Sequence, residues 1–281
     1  MAAPQPRSAH PVRKFVDVLA GFGMQATFYL RAIVALPRAL VHYRKHVARL
    51  VAEISFGAAS LFAGGGTIGV IFAMSFVAST QVGLEGYRGL DLIGLTPMSG
   101  LMSAMVNTRE LAPLVASIAL AAKVGTGFTA QLGAMRIADE VDALESMAVR
   151  SLPFLVSTRM AAAFISVVPL YLVGLFASYI ATRVAVVHLQ GQSGGTYDFY
   201  FQLLLSPSDV GLSLLKAVVF AMVVTLVHCF YGYYATGGPE GVGRAAGRAL
   251  RTSIVAITFT DMLLTLLFWG LSPSLPALGV Q

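Results

Sequence analysis

Charge and cysteine are both scarce in this sequence of 281 residues. Only 11% of the residues are charged, whereas a soluble domain carries about 25%. The single cysteine, Cys229, excludes a disulfide framework and a cysteine-based metal site. The motif G-x-x-x-x-G-K-[ST] is missing, which excludes a nucleotide-binding P-loop. No catalytic triad order or zinc spacing stands out, so we expect this chain to have no enzymatic activity, no cofactor and no metal.

Long apolar stretches, in contrast, occupy most of the chain. Five stretches are almost free of charge, namely 54–84, 111–135, 160–182, 217–239 and 252–281. The only charged residues within them are Lys123 and Asp261. A membrane-spanning helix needs about 20 apolar residues. The sequence therefore predicts an all-α polytopic membrane protein with about five transmembrane helices.

We predict four parts along the chain: a tail at 1–23, an amphipathic interfacial helix at 24–53, a membrane domain at 54–272 and a C-terminal tail at 273–281. The expected spans are about 55–82, 109–134, 153–183, 211–235 and 250–271. Residues 91–108 are only just long enough to cross, and we expect a short outer or re-entrant helix there. The polar stretch HLQGQSGGTYDFY (188–200) is expected to form an outer loop.

The predicted interfacial helix has one apolar face with spacings of three and four residues. Its apolar residues are Tyr29, Ile33, Leu36, Leu40, Tyr43, Val47 and Leu50, and its opposite face carries Arg31, Arg38, Lys45 and Arg49. A basic amphipathic helix of this kind can lie in the membrane interface. The alternative is a helix that packs on a soluble partner. Pro37 is expected to bend it.

The basic residues are distributed unevenly, which predicts the topology. Of the 19 Lys and Arg residues, 14 lie in residues 1–53, 136–159 and 244–251. Because positive residues mark cytoplasmic loops, we expect the N-terminus, residues 134–150 and residues 237–251 to be cytoplasmic. Five spans in the cytoplasmic (inner) membrane then place the C-terminus outside. The basic bias thus needs no nucleic-acid partner.

Four ionisable residues lie in or near the predicted spans. Arg109 and Glu110 open the second span, Lys123 lies further along it, and Asp261 lies near the middle of the fifth. Charged residues in a bilayer usually face the interior of a helix bundle. We predict a polar lining or a pairing network, although each residue on its own is equally compatible with a purely structural role.

An acidic segment lies between two of the most apolar stretches. Asp139, Glu140, Asp142 and Glu145 fall within seven residues of GAMRIADEVDALESMAV (133–149), and Arg136 precedes them. On a helix, Ile137, Val141 and Leu144 form one apolar stripe, opposite an acidic ridge. A solvated loop helix is one interpretation. The other is a docking element for a protein with a basic or donor-rich groove, because acids beside an anionic leaflet are disfavoured.

The segment NTRELAPLVASIALAAKVGTGFTAQLGAMRIADEVDALESMAV (107–149) resembles the signature of the MlaE/YrbE permeases, the membrane subunits of ABC transporters that work with MCE proteins. GGPEGVGRAAGRAL (237–250) matches a second family stretch, and the resemblance covers roughly residues 20–272. It implies an interfacial helix, five spans, a pair of permeases, a lipid cavity between them and a separate ATPase that binds the ATP.

The resemblance also implies roles for particular residues. The family's coupling helix carries E-Q-I/V-D-A-L, and here Asp139, Glu140, Asp142 and Leu144 occupy that pattern, with Arg136 and Glu145 beside it. The Arg-Glu-Leu of the family's cavity region matches residues 109–111, which are Arg109, Glu110 and Leu111. Lys123 stands where the family often has Arg.

The long basic N-terminal arm resembles the actinobacterial YrbE branch, and within it the second, B-type chain. That branch implies MCE partners on the outer side and hydrophobic substrates such as fatty or mycolic acids, or sterols. Two other classes of function stay open. One is a proton-coupled secondary transporter with a relay of Glu110, Lys123 and Asp261, and the other is a membrane scaffold that only holds MCE proteins.

Overall fold

The computed structural model describes residues 11–56 and 66–270, with side chains from residue 20 onward, and every regular element in these ranges is helical. The α-helices of the described chain are α1 (Pro11–Val34), α2 (Leu36–His42), α3 (Arg44–Phe56), α4 (Gly66–Asp91), α5 (Ser99–Val106), α6 (Ala112–Leu120), α7 (Thr126–Ile137), α8 (Glu140–Ser146), α9 (Thr158–Arg183), α10 (Gly194–Leu204), α11 (Pro207–Tyr233) and α12 (Gly238–Trp269).

Within these residues, five helical segments are long and apolar enough to cross a membrane, which confirms the predicted fold class. They are Gly66–Asp91, Thr96–Ile137, Pro153–Leu189, Pro207–Tyr233 and Gly238–Trp269. Helices α5, α6 and α7 form one continuous segment because π-helical turns at 107–111 and 121–125 join them. Helix α9 packs on α3, α4, α6 and α11 and forms the centre of the bundle, whereas α12 is the least buried span.

The second span begins well before the predicted start at residue 109. Residues 99–106 form α5, which continues directly into the π-helical turn at 107–111. Asn107 in this turn is fully buried, and its amide donates hydrogen bonds to Ser103 Oγ (3.1 Å) and Thr182 Oγ1 (2.8 Å). The bond to Thr182 holds this part of the chain against α9. The first span is also displaced: α4 continues to Asp91, beyond the predicted end at 82, and residues 57–65 of the prediction lie outside the described ranges.

The predicted outer loop at 188–200 contains most of the helix α10, which the polar composition did not indicate. Tyr197 of α10 is buried and donates a hydrogen bond of 2.8 Å to Ser103 Oγ. Gly100 makes this contact possible, since a Cβ atom there would lie 2.1 Å from the carbonyl oxygen of Tyr197. Likewise, the predicted loop at 237–251 is the first part of α12, with Gly237 at φ +90° before it and proline in its first turn.

The N-terminal region is helical from Pro11, within the segment predicted to be a tail, and it forms three helices instead of one. The breaks fall at Ala35 and Tyr43, and Pro37 lies in the first turn of α2, where a missing N–H is tolerated. The predicted stripe is only partly correct. Val47 and Leu50 are buried, but Ile33 and Leu40 are exposed.

The face that α1 and α2 turn to the bundle is rotated from the predicted one and consists of Phe28, Ala32 and Ala39, all buried. Ser157 of the third span donates a hydrogen bond of 2.9 Å to the carbonyl oxygen of Ala32. Phe28 packs edge-on against Phe230 with ring centroids 5.4 Å apart. The packed face therefore combines one large aromatic residue, Phe28, with the small Ala32 and Ala39, which allow close backbone contact.

Candidate functional site

A buried lysine lies at the centre of a polar network inside the helix bundle. The side chain of Lys216 on α11 has no solvent exposure, and its Nζ lies 2.8 Å from Glu110 Oε2 and 2.6 Å from Asp261 Oδ1. It also donates a hydrogen bond of 2.7 Å to Thr265 Oγ1, and the Thr265 hydroxyl donates one of 2.8 Å to Glu110 Oε1. A buried ammonium requires such partners because an unpaired charge in an apolar interior is very costly.

A second ion pair lies beside the first. Arg109 Nη2 lies 2.9 Å from Asp209 Oδ2, and both side chains are mostly buried. The indole of Trp269 donates a hydrogen bond of 2.8 Å to the other oxygen of Asp209. The Arg109 guanidinium lies 5.3 Å from the centre of the Trp269 ring, within the range of a cation–π contact.

These residues meet because three helices each present one face to the same point. Asp209 and Lys216 are seven residues apart on α11, and Asp261, Thr265 and Trp269 follow each other at intervals of four on α12. Both intervals return to the same side of a helix. Arg109 and Glu110 occupy the π-helical turn at 107–111 of the second span, a rare feature that is frequent at functional sites.

A small cavity of about 240 Å³ opens on this network. Its lining combines the charged Arg109 and Glu110 with the apolar Met105 and Val106 and the ring of Trp269. Such a mixture suits an amphipathic ligand. Arg109 already bonds Asp209 through Nε and Nη2, so its Nη1 is the part of the guanidinium that can meet a negatively charged head group. Within one chain, the volume accommodates a head group and little of an acyl chain.

The structure brings together some of the predicted residues and separates others. Arg109, Glu110 and Asp261 belong to one network, whereas Lys123 is exposed and does not pair with them. Leu111 is half-buried and does not line the cavity.

Sequence reasoning missed four members of the network: Lys216, Asp209, Thr265 and Trp269. One signal in the sequence could have revealed them. Lys216 lies beside an apolar stretch and follows Asp209 by seven residues, which is two helical turns.

The acidic segment forms α8 just beyond the end of the second span at Ile137, which lies 28 residues after Arg109, or roughly 40 Å at 1.5 Å per residue. Val141 is buried and Leu144 half-buried against the bundle, as the stripe predicted, but Ile137 is 40% exposed. Both ends of α8 are flanked by left-handed residues, Asp139 at φ 55° and Ala148 at φ 59°. Within the described chain these are the only residues other than glycine with positive φ.

All four acids of this segment are exposed, but they differ in their contacts. Asp142 Oδ1 lies 2.6 Å from Arg136 Nη1, and Glu145 accepts a hydrogen bond from Ser151. Asp139 and Glu140 form no ion pair within the described residues. These two carboxylates are thus the members of the acidic ridge that are free for another molecule.

Comparison with known proteins relates the whole bundle to one family. Residues 56–267 match the family model described as Permease MlaE. The chain is 27% identical over 257 residues to a probable ABC transporter permease protein of Rickettsia bellii, with coverage of 92% of this chain and 95% of the relative. A probable ABC transporter permease protein of Rickettsia prowazekii is 30% identical over 74% of this chain and 81% of its own length.

A third relative, the intermembrane phospholipid transport system permease protein MlaE of Haemophilus influenzae, is 26% identical over 92% of this chain and 95% of its own length. The family model covers residues 56–267, a range that contains α8 and every member of the polar network except Trp269.

Proposed function

Because the chain belongs to the Permease MlaE family of ABC transporter permeases, we propose that it is the membrane subunit through which a separate ATPase drives the movement of a lipid across the cytoplasmic membrane. The observation that carries this proposal is the geometry of α8. Val141 fixes the helix to the bundle, and Asp139 and Glu140 point away from it as unpaired carboxylates. A short helix held in this way can transmit a push from a docked protein to the spans.

The ATPase is proposed to bind α8 on the cytoplasmic side, with Arg136, Asp142, Leu144 and Glu145 shaping the helix that it contacts. An acid-rich helix has a structural explanation as well, because acids in the first turn of a helix stabilise it by about 0.3–1 kcal/mol. That explanation covers Glu140 and Asp142, which lie in the first turn of α8, and extends to the charge of Asp139 at the N-cap, although the Asp139 side chain makes no capping hydrogen bond.

We propose that the substrate is a hydrophobic lipid with an acidic head group, of the fatty or mycolic acid type, or a sterol-type molecule. The name of the Haemophilus relative refers to phospholipid transport, and Arg109 at the cavity supports an anionic group for this chain. The cavity of about 240 Å³ is too small for a long acyl chain. A second permease chain, identical or paralogous, would enlarge it, and MCE proteins on the outer side would receive or deliver the lipid.

A reconstituted transport assay with Glu110→Gln tests the cavity. This change removes a charge beside Lys216 but retains an acceptor for Thr265, so the bundle should assemble while lipid transport falls. The matched control is Glu85→Gln, which removes an exposed carboxylate that pairs only with Arg88. Normal transport by an assembled Glu110→Gln complex would show that the network is only structural.

Co-purification distinguishes the remaining classes of function. A stoichiometric ATPase in a mild-detergent preparation supports the ABC permease. The proton-coupled alternative is weakened by the position of Lys123, which is exposed and apart from Glu110 and Asp261. A scaffold would bind outer partners but show no lipid-stimulated ATP hydrolysis.

A further inference from the structure

A large cleft lies at the end of the bundle that carries α8. It has a volume of about 1000 Å³ and lies between the α1–α2 region on one side and residues 145–153 on the other, with Tyr233 and Tyr234 at the end of α11. Cavities of this size are large enough for a substantial ligand. The cleft is about four times as large as the cavity at Arg109, and it lies at the opposite end of the spans.

The charge of the cleft is predominantly positive. Arg31, Arg38 and Arg150 line it, and none of the three forms an ion pair with any residue in the described ranges. The only acid of the lining is Glu145, and its carboxylate already accepts a hydrogen bond from Ser151. Three unpaired guanidinium groups around one cleft suit a phosphate, which they can bind with paired hydrogen bonds.

Most of the remaining lining is apolar and continues into an exposed apolar surface of α1. Leu30, Val34 and Pro37 line the cleft between the arginines. Leu30 is 62% and Val34 78% exposed, and the neighbouring Ile33 is exposed too. A soluble phosphate compound would leave this apolar rim in water, whereas a phospholipid would cover the rim with its acyl chains while its head group reaches the arginines.

We propose that this cleft binds an anionic phospholipid of the cytoplasmic leaflet, with the phosphate held by Arg31, Arg38 and Arg150 and the acyl chains along Leu30 and Val34. The site goes beyond the proposed transport function, because it is distant from the cavity at Arg109. Its occupant contacts both the interfacial helices and residues 145–153, which directly follow α8. Lipid in the cleft therefore links the composition of the leaflet to the position of α8.

Native mass spectrometry of the protein with its co-purifying partners tests the proposal. Phosphatidylglycerol and phosphatidylcholine of equal acyl length are added, and the binding of the two lipids is compared. We expect phosphatidylglycerol to bind at least about tenfold more tightly. The triple variant Arg31→Gln, Arg38→Gln and Arg150→Gln should lose this preference. The matched control Arg44→Gln, Lys45→Gln and Arg49→Gln removes equal charge from exposed positions of α3 outside the cleft, and it should keep the preference within about twofold.

A second measurement uses the unchanged protein. A photoactivatable phosphatidylglycerol should crosslink to peptides that contain residues 30–38 and 145–153, and soluble glycerol phosphate should not compete with it.

Three results would overturn the proposal. One is an equal loss of preference in both triple variants, which would indicate general attraction to a basic helix. Another is competition by glycerol phosphate at the concentration of the lipid, which would indicate a soluble ligand. The third is an unchanged lipid preference in the triple variant of Arg31, Arg38 and Arg150. If that variant also fails to bind the ATPase, the cleft is a protein-docking surface.

Discussion

Lys216 donates a hydrogen bond of 2.8 Å to Glu110 and thereby joins α11 to the π-helical turn of the second span. The same ammonium lies 2.6 Å from Asp261 of α12, so one side chain connects three spans. With Arg109 and Asp209, the network contains two cations and three carboxylates within the membrane region. A change in the relative position of these spans must break at least one of the pairs.

Lys216→Met should destabilise the protein strongly, because it leaves two partly buried carboxylates, Glu110 and Asp261, beside each other without their fully buried cation. Loss of one partner of a buried ion pair costs about 3–5 kcal/mol. Thermal unfolding in detergent measures the effect. Lys123→Met is the control, since Lys123 is exposed, and a surface change should stay within about 0.5 kcal/mol. Equal, small effects of the two changes would show that the network contributes nothing to stability.

Ala148→Gly should stabilise the protein by about 1 kcal/mol, since Ala148 has φ 59° and a left-handed conformation costs a residue with a Cβ roughly 1–2 kcal/mol. The control is Ala143→Gly in the exposed interior of α8, which should cost about 0.5–1 kcal/mol. Unfolding temperatures of the two variants should shift in opposite directions. A loss of stability in both would mean that Ala148 is not strained.

The topology can be tested by cysteine labelling, since the natural Cys229 is fully buried. Gly195→Cys in α10 and Glu240→Cys in α12 both create exposed thiols. A membrane-impermeant reagent applied outside should label residue 195 and miss residue 240, because the basic residues beside 240 mark the cytoplasmic side. The reverse pattern would invert the predicted orientation.

Hydropathy predicted the number of spans, because every long apolar stretch must be removed from water, either by protein or by lipid. It predicted the boundaries less well. Asn107 and Tyr197 form buried hydrogen bonds across the bundle, and a window of composition does not register partners that are distant in sequence. Composition also failed to predict which face of α1 packs on the bundle. Ala32 is buried because its small size allows close contact, whereas the more hydrophobic Ile33 is exposed.

The polar network was half predictable. Arg109, Glu110 and Asp261 were conspicuous as charges in or near apolar spans, but Lys216, the partner of Glu110 and Asp261, was not recognised from the sequence. Only the three-dimensional arrangement shows that α11 and α12 place Lys216 beside them and leave Lys123 outside.

The proposed coupling of an ATPase to the bundle through α8 can be tested at the acids that have no ion pair within the described chain. Reversal of Asp142 would set a cation against Arg136, 2.6 Å away, and disturb α8 itself. Asp139→Asn with Glu140→Gln removes two unpaired charges, and Asn tolerates the left-handed conformation at residue 139. Glu85→Gln with Asp91→Asn removes the same charge at the opposite end of the bundle.

The decisive measurement is the affinity of the ATPase for the purified permease, together with lipid-stimulated ATP hydrolysis. Desolvated, hydrogen-bonded charges at an interface contribute about 2–5 kcal/mol, whereas exposed pairs contribute about 0–1 kcal/mol. We expect the Asp139 and Glu140 variant to lose about 2 kcal/mol or more of binding and most of the stimulated hydrolysis, while the Glu85 and Asp91 variant loses neither. Wild-type affinity and hydrolysis in both variants would contradict a coupling role for α8.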